Sequence, residues 1–525
     1  MSLETFLRSL HEDANESRPQ DWQVDWDDAP LPYKLYRRLP VFPLSLEIPL
    51  SLYRNRSPAN PDLTTIGHFL WHVYGLTRLS QYPAAHSMNQ KLGPLQMYRR
   101  FVPSGGGLYP NELYVYLKTA DSPLGVYHYD VAHHRLVLLR EGNFDSYLNQ
   151  ALGSRCDISG CFATVLVSVM FWKNFYKYNN FAYRLQGLDT GVMIGQLLEV
   201  TRQYGYESRV YFQFLDRAVN HLLGISDRDE SVYAVIPLST KPMTSWLHNG
   251  IDVVGGSYAV QLCRELPEVR HESFERSLKV KAYPKLTQMN EASMLDSIGS
   301  FRHIGETKHV ESRLQSVYMP HVKRLSYDLT SICQNRYSPE SDFVLSKVTH
   351  SEVAALLQQA MASLSYYNDL NAPNENPAAR MSLYCCLYNV EGIPDGAYRY
   401  DRTAHLLCRV RSGDHRLRLQ LGMSMNNVNL FQVPLCLHVV SAQDYNKSAL
   451  GYRGYRIQQM EAGILVQNLL LAASAMGMGG RPLLGFNTAI CDELYKLAER
   501  GKTSLIQIPI GHHRQRPRLE GGLHS

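Results

Sequence analysis

The chain repeats itself. Gly125-Val-Tyr-His-Tyr-Asp130 returns 271 residues later as Gly396-Ala-Tyr-Arg-Tyr-Asp401, and His134 returns as His405 at the same spacing. Tyr183-Arg184 returns after 272 residues as Tyr455-Arg456. At that spacing Asp189 matches Glu461, Gly191 matches Gly463, Gly205 matches Gly477 and Arg209 matches Arg481. A spacing held to 271 or 272 residues through strand-like and helix-like stretches means two copies of one unit, each about 200 residues long. Length alone, at 525 residues, would allow two to four domains. The repeat reduces this to two related units with additions: an arm over 1–60, copy one over 61–240, a connecting region over 241–325 and copy two over 326–525.

The repeated unit reads as α+β. In copy one, Leu63, Ile66, Phe69, Leu70, Val73 and Leu76 recur at helical spacing, with Thr64 or Thr65 as cap. The stretch from there to Met97 reads as loop. Strand-like segments follow at Glu112–Lys118, Gly125–Tyr129, Arg135–Leu139 and Ala163–Phe171. Leu185–Gly205 reads as a long helix ended by its glycine, and Val210–Phe214 and Tyr233–Leu238 close the unit as strands. Ser351–Met361 is the first helix of copy two. The acidic N-terminal stretch reads as a short helix followed by an arm.

The copies are equipped differently. Copy one carries Pro103-Ser104-Gly105-Gly106-Gly107-Leu108-Tyr109-Pro110, preceded by Arg99 and Arg100. Three glycines bury no side chain and each costs backbone entropy, so they suit a place where backbone N–H groups approach something flat or anionic. The flanking prolines fix the chain on either side. The counterpart around Asn374–Arg380 has no glycine. Copy two is read as the one with the opening Arg336-Tyr337-Ser338. It also ends its long helix in Gly477-Met478-Gly479-Gly480, followed by Pro482-Leu483-Leu484-Gly485-Phe486. Two half-equipped copies read as two halves of one site.

Composition excludes several classes. Hydrophobic residues at 45% are ample for sizeable cores, and a net charge of +5 without a basic stripe interleaved with aromatics argues against nucleic acid. Nine cysteines at irregular spacing, with no CxxC pair, support neither a zinc site nor a disulfide framework. There is no signal-peptide pattern at Met1 and no apolar run of the ~18 residues a membrane span needs, so a reducing cytoplasm is expected. No Ser-His-Asp arrangement suggests itself, and His133, His134, His512 and His513 read as loop residues.

These motifs resemble the nitroreductase-like flavoprotein superfamily and, more narrowly, the SagB-type (McbC-like) peptide dehydrogenases. The narrower resemblance rests on Tyr74-Gly75-Leu76-Thr77-Arg78, the Pro-Ser-Gly-Gly-Gly-Leu-Tyr-Pro loop, and Lys177-Tyr178 followed by Tyr183-Arg184. In copy two it rests on Gly454-Tyr455-Arg456 with Glu461, Gly463, Gln467 and Asn468. It covers roughly 60–240 and 330–515 and implies two α/β sandwich units fused as a pseudo-dimer with one FMN between them. The resemblance assigns the phosphate to Arg336, Tyr337 and Ser338, with Arg514, Arg516 or Arg518 completing the clamp. It assigns the flavin N5 edge to the backbone of Leu484 and Gly485, and the ring face to Pro103, Ser104, Gly105 and Gly106 from the other copy. The mirror-image site is expected to be dead. Lys177 and Tyr178 match a pair proposed to act in oxidation of thiazoline or oxazoline to azole, which needs a base beside the flavin. Copy two has Ala449 and Leu450 at those positions. This sequence departs from the family at Tyr337, Glu340 and Asn179. The implied substrate is a peptide precursor, with cyclase or carrier proteins as partners and further oligomerisation open. The alternatives are a general nitroreductase or NAD(P)H-driven reductase, and a flavin-free scaffold in a biosynthetic complex.

Overall fold

The computed structural model describes residues 1–12, 22–52, 61–82, 95–247, 258–304, 315–362, 364–372, 379–514 and 519–522. The fold is α+β, built twice. Copy one holds a seven-stranded antiparallel sheet in the order Val41–Pro43, Arg135–Glu141, Gly125–Asp130, Asn111–Leu117, Ala163–Met170, Glu230–Ser239, Glu207–Ser208. Copy two repeats it strand for strand: Ser316–Tyr318, Leu406–Ser412, Gly396–Asp401, Ser382–Leu387, Leu435–Ala442, Lys502–Gly511, Gly479–Gly480. Irregularities in register recur as well, at Val126/Tyr127 and Ala397/Tyr398, and at Val167/Ser168 and Val439/Val440. Bulges persist this way when they are part of a unit's design. The repeated histidines have a local cause: His134 and His405 each sit in a left-handed turn and hydrogen-bond a tyrosine of the preceding strand, Tyr129 and Tyr400.

The two sheets are joined by a pair of long helices, Ala182–Tyr204 and Arg453–Ala475. Every residue of the first except Arg202 is buried, as expected of a helix surrounded by protein on all sides. The pair cross at their repeated glycines. A Cβ on Gly191 would lie 1.9 Å from the Met460 carbonyl oxygen, and one on Gly463 would lie 2.2 Å from that of Leu188. Leu188 and Met460 are repeat equivalents, so the contact is the same from both sides. That reciprocity marks a two-fold interface. Tyr183 stacks on Tyr455, its own equivalent, at 6.0 Å and 13°.

Additions bind the halves together. The N-terminal helix Leu3–Glu12 buries Phe6, Leu7 and Leu10, and Arg184 donates to the carbonyls of Leu10 in the arm and Leu505 in copy two. Arm and connecting region each supply an edge strand, Val41–Pro43 and Ser316–Tyr318, so each sheet begins outside the boundaries read from the repeat.

Other expectations are corrected. The first helix spans Leu63–Tyr74, and Asp62, not a threonine, caps it by accepting from the Thr65 N–H. Part of the expected loop is strand: Leu76–Tyr82 and Leu95–Arg100 pair with each other, and Leu519–Gly522 of copy two adds a third strand. Val210–Phe214 is not a strand. Val210 and Tyr211 make only isolated bridges, because the connecting segment and copy two cover this stretch. Among the described residues no helix is long and apolar enough to cross a membrane, and no cluster of side chains could hold a metal ion. All nine cysteines are free.

Candidate functional site

The glycine loop of copy one is a folded object. Gly105–Gly107 form one tight turn, and Gly106 and Gly107 lie at φ 66° and 70°, a region open to glycine but strained for other residues. The loop is held from inside by Asp189 of the central helix, whose carboxylate accepts from Ser104 Oγ at 2.6 Å and from the Gly105 N–H at 3.1 Å. Ser104 Oγ in turn accepts from the Tyr109 N–H at 2.9 Å. Burial raises the Asp189 carboxyl to about 6, against the pull of Ser104 and Gly105. Behind the loop, buried Lys173 donates to the Tyr109 carbonyl and pairs with Glu112, which also accepts from His128. Burial alone would raise Glu112, but Lys173, His128 and Arg100 outweigh it and hold it at about 2.

Lys177 and Tyr178 come to this loop. They end a short helix, Trp172–Tyr178. A Cβ on Gly106 would lie 2.5 Å from Tyr178 Oη and 2.8 Å from Lys177 Nζ. Both polar heads therefore lie directly over the bare glycine. Trp26 of the arm places its ring 5.3 Å from Lys177 Nζ, so the arm lines this corner. Burial, then the nearby Asp189, raises the Tyr178 hydroxyl and keeps it protonated, while Arg481 of copy two pulls the other way.

Copy two approaches this corner through Arg336 and Arg481. Arg336 is buried, and its main-chain carbonyl accepts from the Arg99 guanidinium of copy one. Burial, then the charge of Arg99, lowers Arg336 to about 10. Among the described residues its Nε has no partner and no carboxylate pairs with it. Tyr337 stacks on His513 at 4.7 Å. Arg481 donates to the carbonyl of Ser338 at 3.3 Å and to Glu340 at 2.9 Å, so the unexpected glutamate has a local cation. Leu484 and Gly485 lie half-buried beside the loop after Gly422, where the Ser424 N–H donates to the Gly485 carbonyl. Among the described residues, the N–H groups of Leu484 and Gly485 meet no acceptor. Arg516 and Arg518 lie outside the described residues. Pro103 is half-buried at the start of its loop.

The pseudo-equivalent position is filled. Phe212 and Gln213 are the equivalents of Leu484 and Gly485, and both their N–H groups donate to Asp369 of copy two, at 2.8 and 2.9 Å. Asp369 is fully buried and pairs with Arg155 at 3.0 Å. Glu461, the equivalent of Asp189, holds no glycine loop. It is clamped by Arg380, which also reaches Asn368 and Asn371. Most of the glycine loop's counterpart in copy two lies outside the described residues; Arg380, at its end, is described. Asp189 and Asp369 were both missed as site residues. Asp189 could have been suspected as a repeated acid on a fully buried helix, whereas Asp369 carries no sequence signal.

Comparison with known proteins agrees with the repeat. The Nitroreductase family model matches residues 54–238 and again 334–512. The first match begins at Arg54-Asn55-Arg56-Ser57, so an Arg-Ser opening expected of copy two alone also stands in the sequence of copy one; there it lies outside the described residues. An oxygen-insensitive NAD(P)H nitroreductase of Enterobacter cloacae is 50% identical over 48 residues, 9% of this chain and 22% of that enzyme's length. A Methanocaldococcus jannaschii protein named as a nitroreductase is 22% identical over 170 residues, 32% of this chain and 84% of its own. A crystal structure of an Anabaena variabilis protein, also named as a nitroreductase, shares the fold end to end. It covers 98% of this chain and 99% of its own, with a TM-score of 0.71 at 20% identity. With one family domain in each half, the chain belongs to the nitroreductase family.

Proposed function

We propose that the chain is an FMN-dependent dehydrogenase that oxidises azoline rings to azoles in a peptide natural-product precursor, using one flavin site per chain. The observation that carries the reading is the meeting of Gly106, Lys177 and Tyr178, together with the N–H groups of Leu484 and Gly485, which meet no acceptor among the described residues although their equivalents do. The residues present fit the flavin. Arg336 is a buried cation with an orphaned Nε beside a second guanidinium, an arrangement that calls for an anion such as the flavin phosphate. The open N–H groups of Leu484 and Gly485 suit the polar edge of a ring, and the bare backbone of Ser104 to Gly106 suits its face.

FMN, when bound, supplies a two-electron acceptor. Lys177 takes the proton that leaves the azoline ring carbon. Tyr178, held protonated, donates to the heteroatom side of the ring and fixes its orientation. Trp26, Tyr178 and the Gly106 backbone limit water at Lys177 Nζ. The partners this reading implies are the peptide and the cyclase or carrier that presents it.

The test is turnover of a thiazoline-bearing peptide by wild type and Lys177→Met. The variant should lose about 10²–10⁴-fold in rate, the usual weight of a general base, while retaining its flavin. Undiminished azole formation by Lys177→Met would overturn the assignment. A second reading, an NAD(P)H-driven nitroreductase, is favoured by the family match. It predicts nitroaromatic reduction insensitive to Lys177 and no azole product.

A further inference from the structure

Two repeat-equivalent helices on the outside of the two sheets, Asp145–Ala151 in copy one and Arg416–Leu421 in copy two, present different surfaces. On copy one, the outward positions of the helix and the loop after it are Ser146, Gln150, Ser154 and Ser159. Their equivalents on copy two are Leu417, Leu421, Met425 and Phe431, exposed by 61%, 76%, 66% and 40%. Because copy one folds with polar residues at these places, the unit does not need apolar ones there. Leu417 and Leu421 share one helix face. Phe431 lies alongside, joined to the helix through Gln420, which accepts from the Leu430 N–H, and through Arg416, whose guanidinium lies 5.6 Å from the Phe431 ring.

The charge differs in the same way. Residues 396–421 carry six arginines and two aspartates, whereas the equivalent 125–150 carry two arginines, two aspartates and a glutamate. Arg411, Arg416 and Arg418 lie on or beside this helix; Arg416 pairs with Asp414, Arg418 with Glu493, and Arg411 donates to the Glu493 main-chain carbonyl, which leaves the three arginines in excess over two carboxylates. An apolar helix face bordered by arginines suits an amphipathic segment with acidic flanks. A second copy docking by the same face would set these arginines against their own equivalents. The patch also adjoins the candidate site, since Ser424, between Leu421 and Met425, donates to the Gly485 carbonyl.

We propose that this face docks an acidic, amphipathic polypeptide segment of a partner protein and holds it beside the open site. The proposal goes beyond the flavin reading and stands without it. The probe is a fluorescently labelled designed helix of Leu, Ala and Glu, with a Leu, Ala and Lys counterpart as control, titrated by anisotropy against the full chain. The Glu helix should bind, more weakly as salt rises, and the Lys helix should not. The variant Leu417→Ser/Leu421→Gln/Met425→Ser/Phe431→Ser installs the residues copy one already carries there, so the fold is retained; its circular dichroism and melting check this. It should bind the Glu helix at least about ten-fold more weakly. Equal binding of both helices, no binding of either, or unchanged binding by the variant would overturn the proposal. So would self-association of the wild type, seen by sedimentation and lost in the variant, because a second copy would then be the occupant.

Discussion

Two places in this molecule began as the same site. In one, the central-helix acid is Asp189, and it holds a glycine loop whose outer face meets Lys177 and Tyr178. In the other, the acid is Glu461, and it is neutralised by Arg380. In one, the N–H groups of Leu484 and Gly485 meet no acceptor among the described residues; in the other, Asp369 takes both N–H groups of the equivalent pair. On the proposed reading, this difference is how a fused pair gives up one of two sites. The scaffold is kept to the register of its bulges, while buried ion pairs stand where the equivalents of Asp189 and Gly485 lie. Buried pairs of this kind contribute little net stability as pairs, but breaking one leaves a charge without water or partner.

The largest expected effect therefore lies in the closed site. Asp369→Ala leaves Arg155 buried without its carboxylate and two N–H groups without acceptors, and should cost about 3–5 kcal/mol in denaturant unfolding. It should not create a second flavin site, because Arg380 and Glu461 still occupy the place; a second flavin in this variant would show that Asp369 alone separates the two. In the open site, Arg336→Ala should weaken FMN by about 10–100-fold, the weight of a charge-assisted hydrogen bond of about 1.5–3 kcal/mol, read by flavin retention after gel filtration. Unchanged retention would remove Arg336 from the phosphate site.

A further effect, read as a slope with pH, sharpens the contrast between Asp189 and Glu461. Folding raises the Asp189 carboxyl from the ordinary value of about 3.9 to about 6. The folded state thus holds the proton more tightly than the unfolded chain. Stability should fall as pH rises through the window between those two values, then level off above about 6. Asp189→Asn should lack that slope, as measured by melting across the window. A variant with the same slope as wild type would mean that Asp189 is not the titrating group.

Most of the scaffold was legible in the sequence. Strands such as Gly125–Asp130 and Ala163–Met170 and the two long helices emerge from periodicity, and the repeat confirms each by its twin. The misses share a cause. Leu76–Tyr82 and Leu95–Arg100 are strands in a sheet completed by Leu519–Gly522 at the far end of the chain, a partner no local window contains. The helix Trp172–Tyr178 is an aromatic run whose conformation is set by packing against the arm and connecting region, where Trp22 donates to the Tyr176 carbonyl and Trp172 to Ser277. In the candidate site, Gly106 stands out in the sequence as part of a glycine run, whereas Lys177 and Tyr178 enter only through the family resemblance; the structure brings the three together. Asp369 was not legible, because an aspartate becomes a plug only through the two N–H groups it faces.

The central claim is that one of the two equivalent sites is open and the other is filled by the chain itself. The measurement that tests it most directly is the flavin content of the purified protein, saturated with FMN, freed of excess and quantified per chain after denaturation. The account predicts one FMN per chain. Two per chain would contradict it, since the place held by Asp369, Arg380 and Glu461 would then have to open.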